Sequence, residues 1–168
     1  MTGWTGAIAL TVPGFGRTLG SMLVHGTCVA LGPVGVLIRG PSGSGKSDLA
    51  LRLIEDGAAL VADDQVALEV QGGHLIASAP ATIAGLIEVR GIGIVSLPRV
   101  ERAPLSLVVD LVTRDAVPRL PDASRVDLAG ISLSAIALYP FEASAPAKVR
   151  LALRAALAEA PPRLRAAT

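Results

Sequence analysis

Eight consecutive residues, Gly40-Pro41-Ser42-Gly43-Ser44-Gly45-Lys46-Ser47, have the spacing G-x-x-x-x-G-K-[ST] of a phosphate-cradling loop. Gly40, Gly43 and Gly45 lack side chains, so a row of backbone N–H groups can approach anionic oxygens closely and form a nest. A helix that starts where the loop ends adds about half a positive charge from its dipole at the same place. Lys46 brings a mobile point charge for the β- and γ-phosphates, and the Ser47 hydroxyl can ligate Mg²⁺. All eight are candidate nucleotide contacts. Downstream, Asp63-Asp64 closes an apolar run. A carboxylate there can bind the magnesium through water or accept a proton in phosphoryl transfer.

Such a loop works only between a strand and a helix, and the flanks supply both. Val34-Gly35-Val36-Leu37-Ile38 is a short β-branched run, preceded by a glycine-interrupted strand from Met22 to Ala30 and the turn Leu31-Gly32-Pro33. Asp48 to Glu55 or Asp56 has helical spacing, with Gly57 as its natural stop. The run 58–62 is a strand that delivers the two aspartates. Residues 66–70 and 74–79 read as a β-hairpin around Gln71-Gly72-Gly73. The segment from Gly85 to Val95 reads as a strand entering a flexible loop, with Glu88 and Arg90 on its polar face. Two further strands are expected at 105–112 and 131–138, joined by a Pro- and Asp-containing connection. A helix over 147–160 turns Val149, Leu153, Ala156 and Leu157 to one side, while Arg150 and Arg154 form a basic face for a partner or for solvent. The expected fold is α/β: a sheet domain with a strand-rich core, the phosphate loop between a strand and a helix, and a C-terminal helix.

With 168 residues, of which 51% are hydrophobic and 17% charged, the chain suits one compact domain over 1–168. Residues 1–20 are expected to be a loosely held arm or edge strand, and 161–168 a frayed tail. A net charge of +1 without basic runs outside that tail, and only four aromatics (Trp4, Phe15, Tyr139, Phe141), argue against nucleic acid as a partner. Cys28 stands alone in an apolar run, which suits a small core residue in a reducing cytoplasm. No stretch of about 18 apolar residues exists, and the first basic residue, Arg17, comes too late for the positive end of a signal. Neither secretion nor membrane spanning is expected.

The ordered set of His25-Gly26, the loop 40–47 with Asp48-Leu49-Ala50-Leu51, Leu60-Val61-Ala62-Asp63-Asp64-Gln65-Val66, and Ile87-Glu88-Val89-Arg90-Gly91-Ile92-Gly93-Ile94 resembles the catalytic domain of HPr kinase/phosphorylase. That family phosphorylates a serine of the phosphocarrier protein HPr. The resemblance covers roughly His25 to Leu157.

It implies that Asp64 accepts the serine proton and donates it in the reverse reaction, that Glu88 binds magnesium beside Ser47 and Asp63, and that His25 lies near the phosphates. Through the short likeness at Arg119-Leu120 it also implies Arg119 as a catalytic arginine. ATP or pyrophosphate with Mg²⁺, HPr or an HPr-like partner, and homo-oligomers (hexamers in the family) follow from the same resemblance. Two departures are visible. With 24 residues before His25, no N-terminal domain is expected. The stretch 138–145 lacks a Gly-Arg-Asn cluster tied to dephosphorylation, which leaves a kinase without the phosphorylase activity as an alternative. Two other readings stay open: a nucleotide- or phosphate-sensing regulatory module, and a kinase of a small metabolite.

Overall fold

The computed structural model describes residues 19–159. In chain order these form β1 (Leu19–His25), β2 (Thr27–Leu31), β3 (Val34–Arg39), α1 (Lys46–Glu55), β4 (Ala59–Ala62), β5 (Gln65–Gln71) and β6 (His74–Ser78). They continue with β7 (Leu86–Val89), β8 (Gly93–Ser96), β9 (Arg102–Leu111), β10 (Ser124–Leu128), β11 (Ile131–Leu138) and α2 (Ala145–Glu159). This is a mixed α/β fold with one large sheet. The expected arm through residue 18 and the tail at 161–168 lie outside the described residues, whereas Leu19 and Gly20 open β1.

The large sheet runs β1-β5-β6-β9-β3-β2-β4, with β11 also on β9 and β10 on β11. Most pairings are antiparallel, but β3 and β11 both lie parallel to β9: Val109 faces Ile38 in one ladder and Ile136 in the other. The carboxyl ends of these three strands therefore share one edge, and the chain leaves them at Gly40, Val112 and Tyr139. In sheets of this kind ligands bind outside those ends.

The core divides by strand periodicity. Val36, Ile38, Leu107 and Val109 pack in a cluster with Leu49, Leu53, Val149 and Leu153 of the two helices. Their immediate neighbours Leu37 and Val108 point the other way, into a second cluster with Cys28, Val66, Leu68 and Leu75. Strands buried on both faces carry continuous apolar runs rather than alternation, as the sequence of β3 does.

α1 ends as expected at Gly57, whose φ is 108°. The Ala58 N–H donates to the Leu53 carbonyl and the Gly57 N–H to the Ile54 carbonyl, both at 3.0 Å, the crossed pair of a glycine-closed helix end. α2 begins at Ala145 and docks on α1 through Arg150, whose Nη2 lies 2.6 Å from the Asp56 carboxylate. Half of the basic face read from the sequence is thus used inside the molecule.

Three elements differ from the sequence expectation. The single strand expected over 22–30 is two, parted at Gly26: β1 pairs with β5, and β2 with β3 and β4. Residues 86–96 make a small hairpin, β7 against β8, where a strand and a flexible loop were expected. β10 falls within the connection expected between 112 and 131, yet it pairs with β11 across Ala129-Gly130, two successive residues with positive φ (52° and 81°). Positive φ at both turn positions matches the twist of a tight hairpin, but alanine at the first of them gives no sequence signal.

Candidate functional site

The loop 40–47 leaves β3 at the shared strand edge and enters α1 at Lys46. Gly45 caps the helix with φ 98° and ψ 19°, and no side chain accepts from the first-turn N–H groups. Those donors stay free for an anion. A built Cβ on Gly45 would lie 2.9 Å from Phe141 Cζ, so only glycine satisfies both the backbone angle and the close approach. Within the loop the Ser44 Oγ is buried without a hydrogen-bond partner. Lys46 is buried along its stem, and its ammonium folds back over the loop, donating to the carbonyls of Gly40 (2.8 Å) and Pro41 (2.9 Å). Burial pushes its pKa below the usual lysine value, against the opposing pull of the Asp63 and Asp64 charges.

Asp63 is the hinge pin of the site. It is 6% exposed. Its Oδ1 accepts from the hydroxyls of Thr27 and Ser47, both at 2.8 Å, and its Oδ2 accepts from the Glu88 backbone N–H at 3.2 Å. One carboxylate thus ties together β2, the first turn of α1, the end of β4 and β7. With these three bonds made, Asp63 would act on a metal through Ser47 or through water, while the Ser47 oxygen keeps lone pairs for direct ligation.

Asp64 points elsewhere. It is one of two non-glycine described residues with positive φ (68°), a conformation that costs about 1–2 kcal/mol. Its carbonyl accepts from the Gly26 N–H at 3.1 Å, and its exposed carboxylate lies 3.5 Å from His25 Nδ1. The strained backbone turns one aspartate of the pair inward as a brace and the other outward into the cleft.

A single cleft of about 430 Å³ collects these groups: His25, Thr27, the loop, Asp63, Asp64, Glu88 and Arg90 all line it, with Phe141 beside Gly45. Among the described residues no three His, Cys, Asp or Glu side chains form a ready cation cage. Mg²⁺ ordinarily takes one or two carboxylates and leaves the remaining positions to phosphates and water, and Ser47, Asp63 and Glu88 fit that donor set. Arg119 is exposed on the connection between β9 and β10 and does not line the cleft.

Two contributors, Thr27 and Arg52, carry no sign of their role in the sequence. Thr27 follows His25-Gly26, so its place was in view but its role was not. Arg52 Nη2 donates to the Pro140 carbonyl and Nη1 to that of Glu142 (3.2 Å), while Asp48 Oδ2 accepts from Arg52 Nε at 3.1 Å. Those contacts hold the segment that carries Phe141, and no local pattern announces them.

Residues 18–123 match the family model described as "HPr Serine kinase C-terminal domain". Over 90 residues the chain is 46% identical to an HPr kinase/phosphorylase of Clostridium tetani, which covers 54% of this chain and 29% of that protein. Over 101 residues it is 44% identical to an HPr kinase/phosphorylase of an Exiguobacterium species, covering 55% and 32% respectively. The matched region therefore spans about a third or less of these relatives. Among solved structures, the Hpr(Ser) kinase/phosphatase from Coxiella burnetii superposes with a TM-score of 0.73 at 27% identity, covering 82% of this chain and 97% of that one.

Proposed function

The chain belongs to the HPr serine kinase C-terminal domain family, and from that premise we propose that it is an ATP- and Mg²⁺-dependent kinase of a serine on HPr or an HPr-like carrier in the cytoplasm. The observation that carries the reading is the split pair of aspartates facing the loop. Asp63 braces Ser47 from behind, and Asp64 stands with His25 in the open part of the same cleft.

The chemistry follows from placement. Phosphoryl transfer depends on positioning and charge neutralisation more than on covalent help. The nest, the α1 N-terminus and Lys46 supply positive potential where phosphate oxygens would lie. Magnesium held by Ser47 and Glu88, with Asp63 behind Ser47, would add neutralisation there. A carboxylate is a weak base toward an alcohol in water, so Asp64 takes the serine proton late, as the new O–P bond forms. His25, 3.5 Å from the Asp64 carboxylate, orients it.

Among the described residues no helix is long and apolar enough to cross a membrane.

The test is incubation with Mg-ATP and HPr, read by intact mass. One phosphate added at a serine is expected; none added, with an active control kinase alongside, overturns the reading. Adding inorganic phosphate to the phosphorylated product measures phosphorolysis in the same assay, and pyrophosphate in place of ATP measures the alternative donor.

A further inference from the structure

Phe141 is 56% exposed, yet it stands at the rim of the phosphate loop and lines the cleft. Its position is fixed by its neighbours. Arg52 of α1 holds the carbonyls on either side of it, at Pro140 and Glu142. The Glu142 carboxylate is held in turn by Lys148 Nζ at 2.5 Å and by Arg114 Nε at 3.8 Å. Tyr139 meets the Phe141 ring edge-on, with centroids 5.7 Å apart and planes at 74°, and the Arg114 guanidinium lies over Tyr139 at 5.3 Å. The ring tip abuts Gly45, the residue whose missing side chain makes room for it.

An aromatic ring held in place and half open to solvent offers an apolar face that a planar ligand can cover. Among the residues lining the cleft, Phe141 is the one hydrocarbon ring. His25 sits with Asp64, and the remaining lining is polar or charged apart from glycine, Leu51 and Val89. A base needs a flat apolar face, and any base can stack on an aromatic ring because each has a π-surface.

We propose that Phe141 is the stacking platform for the base of the bound nucleoside triphosphate, set by Arg52 at the rim of the phosphate nest. The proposal rests on the reading of the cleft as a nucleotide site and adds to it the group that separates ATP from bare polyphosphates. Pyrophosphate or tripolyphosphate fills the nest without touching the ring. ATP uses both.

Isothermal titration of the whole chain with Mg-ATP and with Mg-tripolyphosphate separates the two contributions without reference to turnover. Phe141→Ala is expected to raise the Kd for ATP by about five- to a hundredfold, the range of base–aromatic stacking, and to leave that for tripolyphosphate within about twofold. Phe141→Trp restores ATP binding. Unchanged ATP affinity in Phe141→Ala, or equal loss for both ligands with an unaltered urea midpoint, overturns the proposal. So does a wild-type protein that binds tripolyphosphate but prefers no nucleotide over it, and in that case the phosphate nest survives. A wild type that binds neither ligand removes the nucleotide-site reading itself.

Discussion

Replacing Asp63 by alanine strands three donors at once. The Thr27 hydroxyl is fully buried, so its loss falls at about 1–3 kcal/mol. The Ser47 hydroxyl is half-buried and faces the cleft, where rotation toward solvent limits its cost to about 1 kcal/mol. The Glu88 N–H, at the longer distance of 3.2 Å, adds about 0.5–1 kcal/mol. The expected total is about 2.5–5 kcal/mol, a large part of the roughly 5–15 kcal/mol that holds a domain folded. Asp63→Asn keeps the shape and one accepting oxygen, and should lose about half as much.

Urea unfolding measures this directly, with the slope unchanged if only the native state is affected. A double-mutant cycle assigns the cause. Thr27→Val removes the most buried donor, so the double variant Asp63→Ala, Thr27→Val should be about 1–2 kcal/mol less destabilised than the two single losses added together. If Asp63→Ala lies within about 1 kcal/mol of wild type, or the two losses simply add, the brace as described is wrong.

The other predictions concern single groups. Burial pushes the Cys28 thiol far above its ordinary value of 9.0, so the folded chain keeps a proton that the unfolded chain releases. Stability contributed by this thiol is complete below about pH 9 and falls by about 1.4 kcal/mol per pH unit above it, a slope that Cys28→Ala should remove from urea midpoints measured between about pH 8 and pH 10. Gly45→Ala puts a side chain at φ 98° and against Phe141, and should cost about 1–3 kcal/mol in urea unfolding while weakening tripolyphosphate binding in titration. Lys46→Ala should lower HPr phosphorylation by at least about ten- to a hundredfold. Asp64→Asn should abolish it while leaving Mg-ATP affinity within about threefold by titration; cellular function kept in Asp64→Asn but lost in Lys46→Ala would favour a sensor over a kinase.

Much of this arrangement is legible in the chain because its signals are local. The glycine spacing at 40–47, the β-branched run before it and Gly57 after α1 each encode a backbone conformation within a few residues. Cys28 in an apolar run points to burial for the same reason, and the structure places it in the core. What escapes is non-local. The parallel placement of β3 and β11 on β9 depends on register between segments far apart. The left-handed backbone at Ala129 is imposed by surroundings rather than by residue type, and at Asp64 the residue type permits it without signalling it. The resemblance separates Asp64 as proton acceptor from Asp63 beside the metal, but only the buried contacts to Thr27, Ser47 and Glu88 show that Asp63 is a brace. Likewise nothing near Arg52 announces that its guanidinium reaches across to carbonyls at 140 and 142.

The dependence of β3 on β9 has a consequence for how the chain is made. A polypeptide leaves the ribosome N-terminus first, so β3 and the loop emerge while the strand that will flank them in parallel is still unsynthesised. Until β9 follows, β3 has only β2 as a partner, and Val36 and Ile38 lack the Leu107 and Val109 of their core. Arg39 waits as well, since both oxygens of its carboxylate partner belong to Asp110, bonded at 2.8 and 3.0 Å. The nascent chain thus carries the complete phosphate-loop sequence for much of its synthesis without the sheet that would hold it in shape, and the cleft closes only when the segment bearing Phe141 has left the tunnel.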